Sequence, residues 1–223
     1  MPSDGSPAFH ALQAEAKARN LTILCAMGEA ACADAPGLEP GTRTLLLLSP
    51  LEPDFYEGFE ASDEMLDGRP DPYDRYTLRI VGKWADEIDA MDYYPFDTAQ
   101  PFLAWAKASG GAHGSPVGML AHREAGLWLS FRAALALDWA VGLPPPLPSP
   151  CAPCPAPCAT ACPVGALTQR GYDTERCKDW LSRPEGRDCM TYGCLVRHAC
   201  PFGQGYPRLD RQSAFHMRAF RRN

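Results

Sequence analysis

Eight of the ten cysteines in this 223-residue chain fall between Cys151 and Cys200. A thiolate is a metal ligand, a nucleophile or half of a disulfide, so eight in one short window constrain the fold more than any other feature. The first run reads CAPCPAPCATACP, placing Cys151, Cys154, Cys158 and Cys162 ahead of Pro163. A second Cys-Pro step stands at Cys200-Pro201. Structural zinc sites usually draw on two C-x2-C pairs, and the window holds one, Cys151 with Cys154. A disulfide framework needs an oxidising compartment. The N-terminus MPSDGSPAFHALQ lacks the charged and apolar regions of a secretory signal. The pattern therefore favours iron–sulfur ligation over zinc and over disulfides.

The spacing C-x2-C-x3-C-x3-C-P is one residue longer than the bacterial ferredoxin run C-x2-C-x2-C-x3-C-P. In that run the fourth cysteine serves the other cluster, because the proline turns the chain away. By this rule Cys151, Cys154 and Cys158 share a first cluster with Cys200. Cys162 joins Cys177, Cys189 and Cys194 on a second. Eight thiolates suffice for two [4Fe–4S] clusters. The plainer alternative is a single cluster, with Cys189 and Cys194 as ordinary thiols. His198 is either a substitute ligand, as histidine is in Rieske centres, or a residue beside the ligands or at the surface; the latter is favoured. Cys25 and Cys32 lie far from the window and read as buried or incidental thiols.

Length bounds the chain to one large domain or two small ones. A hydrophobic content of 46% supports an ordinary core. The longest apolar stretch, from Leu127 to Leu143, is broken by Arg132 and Asp138 and cannot span a bilayer. A soluble, cytoplasmic protein with no membrane partner is expected. The formal charge of −6 argues against broad nucleic-acid binding. It suits an electron carrier that docks on a basic partner. One segment runs the other way: residues 206–223 carry five arginines against the single acid Asp210. That basic tail reads as a partner-docking element or as a solvated helix end, the latter favoured. The dinucleotide fingerprint G-x-G-x-x-G is absent, so direct nicotinamide binding is not supported.

Composition shifts at Leu143, where GLPPPLPSPCAPCPAPC becomes proline-dense and loses periodicity. Three regions follow: an α/β layer domain over residues 1–143, an iron–sulfur module over 144–205, and the tail over 206–223. In the first region the patterns predict helices over 7–20, 54–65, 71–91 and 101–109, and strands over 21–27 and 42–48. Asp71-Pro72 reads as an N-cap followed by a first-turn proline. Residues 117–121 and 127–137 read as a strand pair joined by 122–126. Short helices around 174–181 and 189–198 carry the later cysteines. Trp105 and Trp128 read as core. The class is α+β.

FDTAQPFLAWAKASGGAHG and LAHREAGLWLSFRAAL resemble the catalytic half of epoxyqueuosine reductases. So do the later cysteines, in ERC at Cys177, YGC at Cys194 and CP at Cys200. Those enzymes and the related reductive dehalogenases place a cobalamin-binding nitroreductase-like domain before a two-cluster ferredoxin-like module. SPVGMLAHREAGLWLSFRAALALDWAVGLPPP also resembles the cobalamin-processing CblC-type proteins. The resemblance covers about residues 70 to 205. It implies a redox enzyme that passes electrons through two [4Fe–4S] clusters to a cofactor or small-molecule substrate on the N-terminal domain, with cobalamin as the candidate cofactor. The runner-up is a ferredoxin-type carrier with no substrate chemistry of its own. An electron-donor protein of flavodoxin or ferredoxin reductase type is the implied partner. Asp97 matches the aspartate of the family's VDSAP-like motif, implying a general acid; the alternative is a cap on the helix that follows. Gly110, Gly111 and Gly114 around His113 would let backbone approach a large planar cofactor, or form a plain loop. The family has a cysteine three residues after the YGC cysteine, where Arg197 stands here; Cys189 is the candidate replacement. The family's glycine–tryptophan–glycine–lysine loop is not kept in GGAHGSP. The helical-repeat tRNA-binding extension has no counterpart before Asn223, so no tRNA partner is expected.

Overall fold

The computed structural model describes residues 5–97 and 99–222. The chain divides into two compact units. The first comprises residues 1–111 and 130–147, the second 112–129 and 148–223.

In the first unit, helix α1 (Pro7–Ala18) starts where Ser6 Oγ accepts from Phe9 N at 3.3 Å, with Pro7 in the first turn. Its buried face is Phe9, Leu12 and Ala16, as the spacing predicts. Strand β1 (Leu21–Met27) follows, then the short α2 (Glu29–Ala33) and strand β2 (Thr44–Pro50). The second strand runs through Ser49 and Pro50 instead of stopping before them. Pro50 sits at its end, opposite Leu21, where a missing N–H costs little. The helix expected over 54–65 is two, α3 (Asp54–Glu60) and α4 (Asp63–Leu66). Ser62 divides them: its hydroxyl donates to Phe59 O at 2.7 Å and accepts from Met65 N at 3.4 Å.

Helix α5 (Pro72–Ile88) is the longest, and among the described residues no helix is long and apolar enough to cross a membrane. Asp71 precedes it, but in a left-handed conformation and without a side-chain cap bond, so the expected cap is one of position only. The helix ends at Asp89, also left-handed, and Met91 turns into strand β3 (Met91–Tyr93) where continued helix was expected. Helix α6 (Phe102–Ala108) follows. Strands β4 (Ala112–Gly114) and β5 (Leu120–His122) form an antiparallel hairpin, and strand β6 (Ala133–Leu137) returns to the first unit.

The main sheet is antiparallel, in the order β1-β2-β6-β3. Every residue of β2 and β6 is buried. Side chains alternate faces along a strand, so both faces of the sheet centre are covered. Trp84, Trp105, Phe55 and Phe59 are fully buried in this unit.

The expected strand pair 117–121 with 127–137 does not form. Strand β5 pairs with β4, and β6 pairs with β2 and β3. The break is at Gly126, which is left-handed (φ +53°) and closes a tight bridge to His122. A β-carbon there would lie 2.4 Å from Gly203 N, so only glycine fits.

The second unit adds a small hairpin, β7 (Leu167–Thr168) with β8 (Gly171–Tyr172), and helices α7 (Thr174–Leu181), α8 (Arg187–Tyr192) and α9 (Leu195–His198). The expected 189–198 helix is broken by Gly193, at φ +102°. Helix α10 (Asp210–Arg222) packs on α8 and buries Gln212, Ser213 and Ala214. The compact units thus differ from the division at 143: the 112–129 segment and the basic tail both belong with the cysteines. The α+β class is as expected.

Candidate functional site

Two cavities lie in the second unit, and each is walled by four cysteines. The first encloses about 330 Å³ of empty space, partly open to solvent, between Cys151, Cys154, Cys158 and Cys200. The second encloses about 350 Å³ between Cys162, Cys177, Cys189 and Cys194. All ten cysteines are free thiols.

Local geometry explains the convergence. A 3-10 turn over Pro157–Thr160 follows the left-handed Ala156 and buries Cys158. Cys162 lies beyond that turn, ahead of Pro163, and faces the other cavity. Cys177 projects from α7, Cys189 from α8, and Cys194 from the N-terminus of α9. Cys200 returns to the first cavity at the second Cys-Pro step. A small core supports both: Val117, Ala121, Leu127, Leu167 and Val196 pack with Cys158 and Cys200.

The two environments differ in polarity. The first cavity is completed by Ser115, Leu127, Ala156, Phe202 and three prolines, Pro116, Pro150 and Pro201. Proline offers no N–H. Ala156 N donates to Cys154 Sγ at 3.4 Å. Burial, then the neighbouring Cys200, Cys154 and Cys158, pushes the Cys151 thiol up. Burial and the charges of Cys200 and Cys154 do the same to Cys158.

The second cavity has side-chain donors. Ala166 N donates to Cys162 Sγ at 3.2 Å. The Tyr172 hydroxyl donates to Cys177, partly offsetting the upward push of burial on that thiol. Tyr172 itself is pushed up by its own burial and by that bond. Burial raises Cys189, against the opposing donors Leu195 N–H and Trp180. Trp180 lines the cavity with its Nε1 buried. It makes no hydrogen bond of regular geometry, so the Cys189 sulfur it faces is a loosely held acceptor. Arg197 interacts with Cys194, and enclosure of its head group lowers its own pKa. That guanidinium donates to Leu127 O and lies 5.9 Å from the Trp128 ring centre. Arg197 is thus a half-buried cation beside the second set, and Cys189 lines the cavity with Cys162, Cys177 and Cys194.

These donors escaped the sequence reading, although one signal was present. Cys177 and Trp180 are three residues apart on α7 and share a face.

The remaining candidates stand apart from the cavities. His198 is exposed, with its Nε2 2.8 Å from Tyr192 O and its ring edge-on to Trp128. Asp97 is exposed in the first unit, and its Oδ1 accepts from Ala99 N at 3.1 Å. It holds a turn, four residues too early to cap α6, whose N-cap is Pro101. The glycines offer little cradle for a planar cofactor. A β-carbon on Gly110 would meet Pro146 at 2.8 Å, and one on Gly111 would meet Cys25 Sγ at 3.1 Å. Protein already fills both approaches. Gly114 is open, and His113 sits in β4 opposite Ala121. Cys25 is buried in the first unit, where burial, against a Ser109 hydrogen bond, pushes it up to about 11. Cys32 is also buried and donates to Met27 O at 3.5 Å. Trp105 and Trp128 are core residues.

Among the described residues, no group of three or more His, Cys, Asp or Glu side chains closes to the spacing of a single metal ion. The thiols stand around cavities, not around a point.

The chain is similar to solved structures of epoxyqueuosine reductase. A selenomethionine-labelled form matches with a TM-score of 0.42, covering 96% of this chain and 63% of that one. The Bacillus subtilis enzyme matches at 0.44, with 96% and 63% covered. A complex with an epoxyqueuosine-modified tyrosine tRNA stem loop matches at 0.44, with 96% and 64% covered. Identity is 14% in each, and this chain spans less than two thirds of the length of those enzymes. No protein-family model matches the chain, and no curated protein matches it.

Proposed function

We propose that the chain is an iron–sulfur redox protein whose second unit, a ferredoxin-like module, holds two [4Fe–4S] clusters, one in each cavity. The observation that carries this reading is the interleaving of ligands. Each cavity takes three cysteines from one stretch and a fourth, Cys200 or Cys162, that directly precedes a proline. The donor set fits such a group. Burial and then the neighbouring thiols push Cys151 and Cys158 up, and a cationic iron centre would offset both effects. Backbone N–H groups already point at Cys154 and Cys162. A zinc ion would draw its sulfurs to about 2.3 Å, and among the described residues no group of three or more such side chains is placed to hold a single metal ion.

A bound cluster supplies one-electron storage. The chain's own residues do the rest. The apolar walls exclude water, and the N–H, O–H and guanidinium donors stabilise negative charge on the sulfurs. Two stores in one unit suit delivery of electrons to a substrate or cofactor at the first unit, a nitroreductase-like domain on this reading. Iron analysis after anaerobic reconstitution tests the proposal; four irons per chain with Cys177→Ala and Cys194→Ala harmless rejects the second site.

The family resemblance adds a corrinoid on the first unit and Asp97 as its acid. The contacts at Gly110 and Gly111 do not fit a planar ligand there, so no step is derived through it. They favour the second reading, an electron carrier whose first unit docks partners. Titration with cobalamin separates the two: a shift of its visible bands supports the reductase, and no binding by calorimetry supports the carrier. Absence of tRNA affinity belongs to both readings, given the acidic balance.

A further inference from the structure

An acidic chain carries one compact basic surface, at the second cysteine set. Tyr172 is 43% exposed, yet its hydroxyl bonds to Cys177. Its ring stacks on Phe220 of α10, with centres 5.8 Å apart and planes within 14°. Lys178 Nζ lies 5.8 Å from the Phe220 ring centre. Arg221 and Arg222 follow Phe220 and are exposed, as is Arg170, two residues before Tyr172. No acid occurs from 211 to 222; the nearby exposed acids Asp173, Glu175 and Asp179 pair with Arg176, Lys178 and Arg183 at 3.4, 3.7 and 2.5 Å, which leaves Arg170, Arg221 and Arg222 as the excess. An aromatic pair left half in water and ringed by cations has the composition of an interface centre.

We propose that this patch is the electron entry port of the second site, and that its occupant is an acidic single-electron carrier protein. The inference rests on the iron–sulfur reading above. Charge complementarity selects the carrier: cations in excess flank a ring that links a cavity thiol to solvent. One electron leaves the reduced carrier, which is oxidised by one, and arrives at the group held by Cys162, Cys177, Cys189 and Cys194, which is reduced by one. No bond is made or broken, and Tyr172 keeps its proton. Electron transfer falls steeply with distance, so a single ring between donor and thiolate is an efficient bridge.

The test uses reconstituted full-length protein and a reduced flavodoxin as probe, followed by stopped flow. The wild-type rate constant should fall about tenfold from low to physiological salt. The Lys178→Glu, Arg221→Glu, Arg222→Glu triple variant should be about tenfold slower at low salt and lose that dependence. Reduction by dithionite, which needs no docking, should not change. The neutral Arg221→Gln, Arg222→Gln variant should fall between, guarding against a folding defect at the helix end. Tyr172→Leu should slow flavodoxin, and Tyr172→Phe should restore most of the rate. An unchanged flavodoxin rate in the triple variant, or an equal loss with dithionite, overturns the port. So does a tRNA stem loop that binds the patch tightly and displaces flavodoxin. Iron content of the same sample separates the two levels. A chain without iron rejects the proposed function. Calorimetry with oxidised flavodoxin then still reads the surface: salt-sensitive binding lost in the triple variant supports the patch, and no binding rejects it.

Discussion

The two cavities each use four thiols and surround them differently. The first is walled by prolines and apolar side chains. The second is walled by apolar side chains too, but Cys177 takes the Tyr172 hydroxyl, Trp180 lies beside Cys189, and the half-buried Arg197 lies near Cys194. Hydrogen bonds and positive charge at the sulfurs stabilise the more negative, reduced state of a bound cluster, and so raise its potential. On the proposed function the two sites would therefore be unequal: a cluster in the second would hold electrons at the higher potential, and one in the first would deliver them with more driving force.

The largest effect should come from removing iron altogether. One small core cluster of the second unit is built around Cys158 and Cys200, so on the proposed function this unit should depend on metal for stability. Chelation after oxidation should abolish hydrogen-exchange protection over 148–222 while the four-stranded sheet of the first unit keeps its own. Equal loss in both units would break the contrast. Within the second unit, Cys154→Ala and Cys177→Ala should each remove half of the iron, leaving the visible signature of the other site. Loss of all iron in either variant would mean that the cavities fill as one.

A redox titration should then resolve two one-electron waves. Two donors and one cation at the second site place it higher by on the order of 100 mV. The Cys177→Ala variant should delete the higher wave. Deletion of the lower one would invert the comparison. The smallest change is Trp180→Phe. It removes one weak donor and should lower the second wave by about 40 mV, equivalent to about 1 kcal/mol, with the first unmoved.

Much of this was legible in the sequence because cysteine spacing and Cys-Pro steps encode ligand direction locally. The expected swap of Cys162 and Cys200 between the two sets came from the Cys-Pro steps, and Cys189 entered as the candidate for a cysteine that the family resemblance left missing. The walls were less legible. Tyr172, Trp180 and Arg197 reach the second set through the packing of β8, α7 and α9, which no single spacing specifies. The 127–137 run looked like one strand because it is uniformly apolar. Gly126 and the competing partners β2 and β3 decide otherwise. The glycines around His113 suggested a ligand cradle, but free space at a glycine is set by distant chain, here Pro146 and Cys25. The proline-dense stretch after Leu143 marked the entry to the cysteine window. It gave no sign that the 112–129 segment would leave the first unit.

The central claim is that each cavity holds its own cluster. Iron and acid-labile sulfide, measured per chain on anaerobically reconstituted wild type and on Cys194→Ala, test it most directly. The account predicts about eight irons falling to about four, with the four-iron variant still showing a [4Fe–4S] spectrum. Four irons in both proteins would contradict it.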